Sequence, residues 1–138
     1  MSDFNETVVL QHSIAGAVAV ATGVATFALP FPAELVGVSL AAGTGPVGAD
    51  LIIDVNKNGT TIFTDQATRP KIAAGQTASV VKNKPALAAG TNYIYTPYPS
   101  AKSLGVFAEG DKITVDVDAV GSTTAGSNLG ILLVVQKA

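Results

Sequence analysis

Asn58-Gly59 separates two short runs rich in β-branched residues, Ala49 to Lys57 and Thr60 to Thr64. An Asn-Gly pair readily takes the positive φ angles of a type I′ turn, whose twist matches that of the strands it joins. A two-residue loop at this point pairs Lys57 with Thr60, Val55 with Ile62 and Ile53 with Thr64. In that register Ile53, Val55 and Ile62 share one face, and Asp54 and Phe63 take the other. The hairpin commits this part of the chain to antiparallel sheet.

The same period of two recurs along the sequence, while helical periodicity is weak and the alternating runs are broken by Gly, Pro and Asn. Strands are expected at Glu6 to Ile14, Val18 to Leu29, Leu35 to Ala42, Ala49 to Lys57, Thr60 to Thr64, Thr77 to Val81, Lys112 to Val120 and Leu129 to Gln136. A set of about eight strands fits an all-β protein, a single-domain β-sandwich of jelly-roll-like form. Residues 1–13 are expected as an N-terminal segment extended as an arm, and residues 14–138 as the sandwich. Val18, Val20 and Val24 fall on one face of the second run, and Phe27 and Leu29 switch the large residues to odd positions. A bulge or turn near Thr22 and Gly23 accounts for the switch. Ile113, Val115 and Val117 are expected to pair, facing inward, with Leu129, Ile131, Leu133 and Val135 across the polar loop Gly121 to Asn128. Leu132 and Val134 make the last strand apolar on both faces, so it is central and covered or part of an interface.

Charge is scarce and unevenly spread. Charged residues make up 13% of the chain, about half the usual share of about 25%. A surface so poor in charge suits a protein partly covered by other protein, and a homo-oligomer is expected. No side chain from Thr7 to Ala33 is charged, yet Met1 to Glu6 carry two acids and no base, unlike a secretory leader or the basic flank of an anchored helix. That stretch is expected to be strand, with no membrane association. All ten acids lie in residues 1–65 and 109–138, whereas the region between carries Arg69, Lys71, Lys82, Lys84 and Lys102. These cations form either a basic contact surface for an acidic partner or a set of solvated loop charges. They are too dispersed, and too free of interleaved aromatics, for nucleic acid.

Residues 82–103 contain Pro85, Pro97 and Pro99, follow no strand pattern and form a long loop of the kind that carries function or a subunit contact. Tyr93, Tyr95 and Tyr98 are all the tyrosine in the chain. Held in a proline-stiffened loop, they would pin the loop to its own domain, contact another protein or stack on sugar rings. With Lys82, Lys84 and Lys102 they are the candidate protein-contact residues. Catalysis has little to stand on. The chain has no Cys, one histidine, His12, and neither a nucleophile-elbow nor a phosphate-loop pattern, so no enzyme activity and no cofactor is expected. The Gly-rich Gly43 to Gly48 lacks the phosphate-loop lysine and reads as a loop. Asp50 with Asp54, and Asp116 with Asp118, are the acid pairs that calcium could use, against the plainer reading as solvated strand acids. No metal site is assigned.

The segment Pro46 to Thr60, followed by Ile62-Phe63, and the later stretch Gly110 to Asp118 with Val120-Gly121 and Asn128-Leu129, resemble a pattern in small structural proteins of tailed bacteriophages. The resemblance covers around half of the chain. It implies a β-sandwich virion protein without enzymatic activity, and not which part of the virion, because related sandwiches occur on capsid surfaces and in tails. The first expectation is a capsid decoration (cement) protein of the particle surface, made in the host cytoplasm, that binds the major capsid protein and stabilises the assembled head. A trimer is the oligomer that analogy favours. The alternative is a tail- or fibre-associated sandwich that binds host surface glycan through the tyrosine loop.

Overall fold

The structure, a computed structural model, describes residues 6–78 and 105–137. Nine strands follow in order: β1 (Thr7–Ala17), β2 (Ala21–Ala28), β3 (Ala33–Thr44), β4 (Leu51–Lys57), β5 (Thr60–Thr61), β6 (Lys71–Ile72), β7 (Val106–Phe107), β8 (Lys112–Ala119) and β9 (Ser127–Lys137). A front sheet has the order β1-β9-β3-β7, and a back sheet has the order β2-β8-β4-β5, with β6 also on β4. Every pairing is antiparallel. β5 meets β4 at Asn56 and Lys57, and β6 meets it at Leu51 and Ile52, so the two are the ends of one interrupted strand. The 3₁₀ turn Gln66–Thr68 lies in the interruption. Counted that way, eight strands form two four-stranded sheets in the double Greek-key order of a jelly roll, successive strands changing sheet except from β4 to the interrupted strand.

The alternation seen in the sequence sets what lies between the sheets. Ile113, Val115 and Val117 of β8, Ile53 and Val55 of β4, and Leu129, Ile131, Leu133 and Val135 of β9 are all buried. Phe63 and Phe107 are the largest fully buried side chains. Val8, Leu10 and Ile14 bring the inward face of β1 against the same core.

Several expectations change in the folded chain. β8 and β9 are not a hairpin: β8 pairs with β2 and β4, β9 with β1 and β3, and the loop between them crosses from the back sheet to the front. Their inward residues enter one core from opposite sheets instead of lying side by side in the same sheet. Turn residues announce a reversal of direction but not its plane, and neighbours in sequence usually pair in one sheet. The Asn58-Gly59 turn has φ of 50° and 89°, as type I′ requires, and Ile62 N–H donates to Val55 O. Beyond that bond the hairpin opens, because Ile53 N–H donates to Pro70 O and not toward Thr64. Phe63, expected on the face away from Ile53, is buried in the core. Residues 7–13 are not an arm; β1 pairs along β9 from Thr7↔Gln136 to Ile14↔Leu129. Val18 is buried while Val20 stands 62% exposed, since residues 18–20 link β1 to β2 and are not strand. The bulge expected near Gly23 is present, with a register shift between Ala21 and Ala25 and a Gly23 φ of 62°. β9 is a central strand, and Val134 on its outward face is nearly buried.

At one end of the sandwich the loops after β3, β6 and β8 pack backbone to backbone. Val47 N–H donates to Thr124 O, Thr123 N–H to Val47 O, and Gly75 N–H to Pro46 O. A Cβ on Gly121 would overlap the carbonyl oxygen of Thr124, and one on Gly45 would overlap that of Gln76. Gly130, inside β9, has only Ala41 O near its open side, at 3.8 Å from an added Cβ. Gly121→Ala is therefore expected to lower unfolding free energy by about 2–3 kcal/mol, as overpacking against backbone does. Gly130→Ala should change it by less than about 1 kcal/mol. Urea denaturation of both variants checks this, and equal stabilities would refute the close-packed loop end.

Candidate functional site

The two outward faces of the sandwich differ in chemistry. On the back sheet, β4 and β8 place Asp54 directly opposite Asp116 and Asn56 opposite Thr114. Asp118 lies two residues further along the same face of β8. Three carboxyl groups on one face repel, and the structure answers with donors from three other elements. Thr61 Oγ1 donates to Asp54 Oδ1 at 2.7 Å, and Val55 N–H donates to the same oxygen at 2.9 Å. Gly23 N–H and Asn56 Nδ2 donate to the two oxygens of Asp116 at 2.8 and 2.9 Å. Arg69 Nη1 donates to Asp118 Oδ2 at 2.6 Å, while its Nε donates to Gln66 O at 2.8 Å. Gln66 Nε2 donates to Phe63 O at 2.7 Å, closing the 3₁₀ turn over Asp54.

Asp54 is buried, 6% exposed. Burial pushes its carboxyl above the ordinary 3.8, the bonds from Thr61 and Gln66 pull it down, and the nearby Asp118 charge adds to the rise. No buried side-chain polar atom among the described residues lacks a partner. The cluster thus reads as a clamp that seats the β5–β6 interruption on the back sheet. Asp50 has a similar task, accepting from Lys71 Nζ at 3.0 Å and Ala74 N–H at 2.9 Å.

Asp116 and Asp118 share a face as expected, but both accept bonds from named donors and are not simply solvated acids. Among the described residues no group of three or more His, Cys, Asp or Glu is arranged to hold a metal ion. His12 is half-buried on the inward face of β1, in line with Val8, Leu10 and Ile14. Of the basic middle region, Arg69 and Lys71 are ion-paired within the domain. Lys82, Lys84, Lys102, Tyr93, Tyr95 and Tyr98 lie outside the described residues. Thr61, Gln66 and Asn56, which complete the clamp, carry no pattern of their own in the sequence.

The front sheet is the opposite case. Its outward rows run Val9–Val134, Gln11–Leu132–Ser39 and Ser13–Gly130–Ala41 across β1, β9 and β3. Thr7–Gln136–Glu34 adds the one charged side chain on these rows. Small residues Ser13, Ala15, Ala41, Gly43 and Gly130 line a shallow trough at one end of this face. Sequence alternation carried the signal for this face, in Leu132 and Val134, but not the rows that assemble it.

The two perturbed acids act on stability with opposite sign. Ala108 N–H and Asn58 Nδ2 hold the Asp111 carboxyl below its ordinary value. Its contribution is present above 3.8 and is lost as pH falls through the lowered value. Asp54, raised, is protonated first in the folded state, so its contribution grows as pH falls from the raised value toward 3.8. Asp54→Asn is expected to remove that acid-side gain, so that on acidification the wild type gains stability relative to the variant. Asp54→Ala should cost about 2–3 kcal/mol at neutral pH, because the Thr61, Gln66 and Val55 donors lose their acceptor. Urea titrations across the acid range check both.

Comparison with known proteins assigns nothing further: no protein-family model, curated protein or solved structure matches this chain.

Proposed function

We propose that this chain is a non-enzymatic structural protein of a bacteriophage virion, a capsid decoration protein that self-associates and stabilises the assembled head through the major capsid protein. The observation that carries the proposal is the contrast between its two outward faces. The back sheet keeps its acids in internal bonds, while the front sheet offers side-chain rows with Glu34 as the single charge. A face of that composition loses little on desolvation against another protein, since few charges must leave water. Jelly rolls serve in viral capsids and in lectins, an analogy of fold that supports the proposal without fixing it.

Purified protein is expected to bind assembled heads that lack it and to raise their resistance to heat. Ser39→Glu with Ala41→Glu would place two charges on the front face, at β3 and away from β1. That double variant should keep the wild-type thermal midpoint and lose at least about tenfold in head affinity. Co-sedimentation with heads measures it. Unchanged binding by the variant would move the contact to another surface. Failure of the wild type to bind, with capture of a glycan on an array, would replace the proposal with the glycan-binding alternative.

A further inference from the structure

The two sides of the sandwich end in very different edges. On one side the sheets end in β7, β5 and β6, each two residues long. Short, interrupted edges of this kind prevent strand addition. On the other side the front sheet ends in β1, 11 residues long, and the back sheet in β2, 8 residues long. Neither strand contains a charged residue or a proline, the usual protection of a long edge. β1 keeps one register from Thr7 to Ile14 without a bulge. Val9, 52% exposed, and Val20, 62% exposed, belong to this side and are two of the four large apolar side chains that stand in solvent among the described residues.

The open backbone groups of β1 can be assigned. Lys137 N–H donates to Glu6 O at 2.8 Å, and this bond extends the Thr7↔Gln136 register by one pair. In an antiparallel ladder bonded and non-bonded pairs alternate. The even-numbered residues of β1 therefore bond to β9, and Thr7, Val9, Gln11 and Ser13 turn N–H and C=O to the open side. Among the described residues no strand pairs there.

We infer that a second copy of this chain occupies that edge, β1 pairing antiparallel with the same strand of its partner about a two-fold axis at Gln11, so that the two front sheets become one continuous sheet. The register about Gln11 sets Val9 opposite Ser13 of the partner subunit, and Leu10 opposite His12 of the partner subunit. Odd residues meet odd and even meet even, so inward side chains stay inward and the core runs on across the junction. Because the strand carries no charge, a second copy brings no like charge against the first. A strand of 11 residues is about 37 Å long at about 3.4 Å per residue. With two sheets about 10 Å apart, the β1–β2 side presents on the order of 400 Å² per copy, about half the roughly 800 Å² per partner of a standard interface, so the dimer is a weak one held chiefly by main-chain hydrogen bonds between the β1 strands. A self-complementary patch of this kind closes as a two-fold dimer, not as the three-fold assembly that analogy favours.

The inference gives a contact to the self-association in the proposed function, and its test uses the full chain without heads, so it fails or stands apart from head binding. Sedimentation equilibrium up to about 100 µM is expected to show a dimer. Gln11→Pro removes an N–H that points to the open edge and leaves the β1–β9 bonds in place, and Gln11→Lys sets two like charges directly opposite each other. Each should weaken dimerisation at least about tenfold with the thermal midpoint of the monomer retained. If Gln11→Pro does not fold, Gln11→Lys decides. In hydrogen exchange the amides of Val9, Gln11 and Ser13 should be protected in the wild type and exchange fast in Gln11→Lys, while those of Val8 and Leu10 stay protected in both. A wild type that is monomeric at about 100 µM, or an oligomer insensitive to both substitutions, would overturn the inference.

Discussion

β8 and β9 supply the inward rows of the two sheets, and the rest of the sandwich is arranged around the core they share. Ile113, Val115 and Val117 of one strand and Leu129, Ile131, Leu133 and Val135 of the other are all buried in one cluster. At about 1.5–3 kcal/mol for each large apolar side chain, these seven contribute on the order of 10–20 kcal/mol before entropy is charged against them. A whole domain is stable by a net of only about 5–15 kcal/mol. Each strand is central in its sheet, β8 between β2 and β4 and β9 between β1 and β3. Burying their inward faces in one core thus fixes the spacing and facing of both sheets at once.

With the interior settled, the outer surfaces are free to differ. The back sheet uses its outward face for internal architecture. Asp54, Asp116 and Asp118 are tolerated together because Thr61, Asn56, Arg69 and the Gly23 amide divide them among separate donors. That arrangement holds the β5–β6 excursion in place, and its donors offset part of the rise that burial imposes on the Asp54 carboxyl. The front sheet needs no such clamp, since β9 and β3 pair from Ala33↔Lys137 to Thr44↔Ser127 with one shift at Leu35/Gly37. Among the described residues its outward rows carry Glu34 as their one charge, and that contrast is what the proposed function rests on.

The edges follow the same division. β5, β6 and β7 are cut short, and Lys71 and Arg69 beside them are ion-paired. β1 and β2 are long and uncharged. Edge protection on one side only is what a chain requires if it adds a strand at one place and must not add one elsewhere.

The sequence by itself determined the class of fold, most strand positions and the inward set of nearly every long strand. A period of two reports which face of a strand is buried whatever it pairs with. Asn58-Gly59 likewise determined a type I′ turn, because its positive φ angles are a local property. Only the tertiary structure decided the partners. The reversal between β8 and β9 reads the same in sequence whether it stays in one sheet or crosses to the other, and Gly121 to Gly126 carry no mark of the crossing beyond their glycines. β6 and β7 were illegible because two residues are too few to show a period. The acid clamp was illegible because Asp118 is 49 residues from Arg69, and Asp116 is 60 from Asn56 and 93 from Gly23, so that their meeting is decided by register between strands. Register is a sum of many weak contacts spread over the whole chain, and no short stretch of residues contains it.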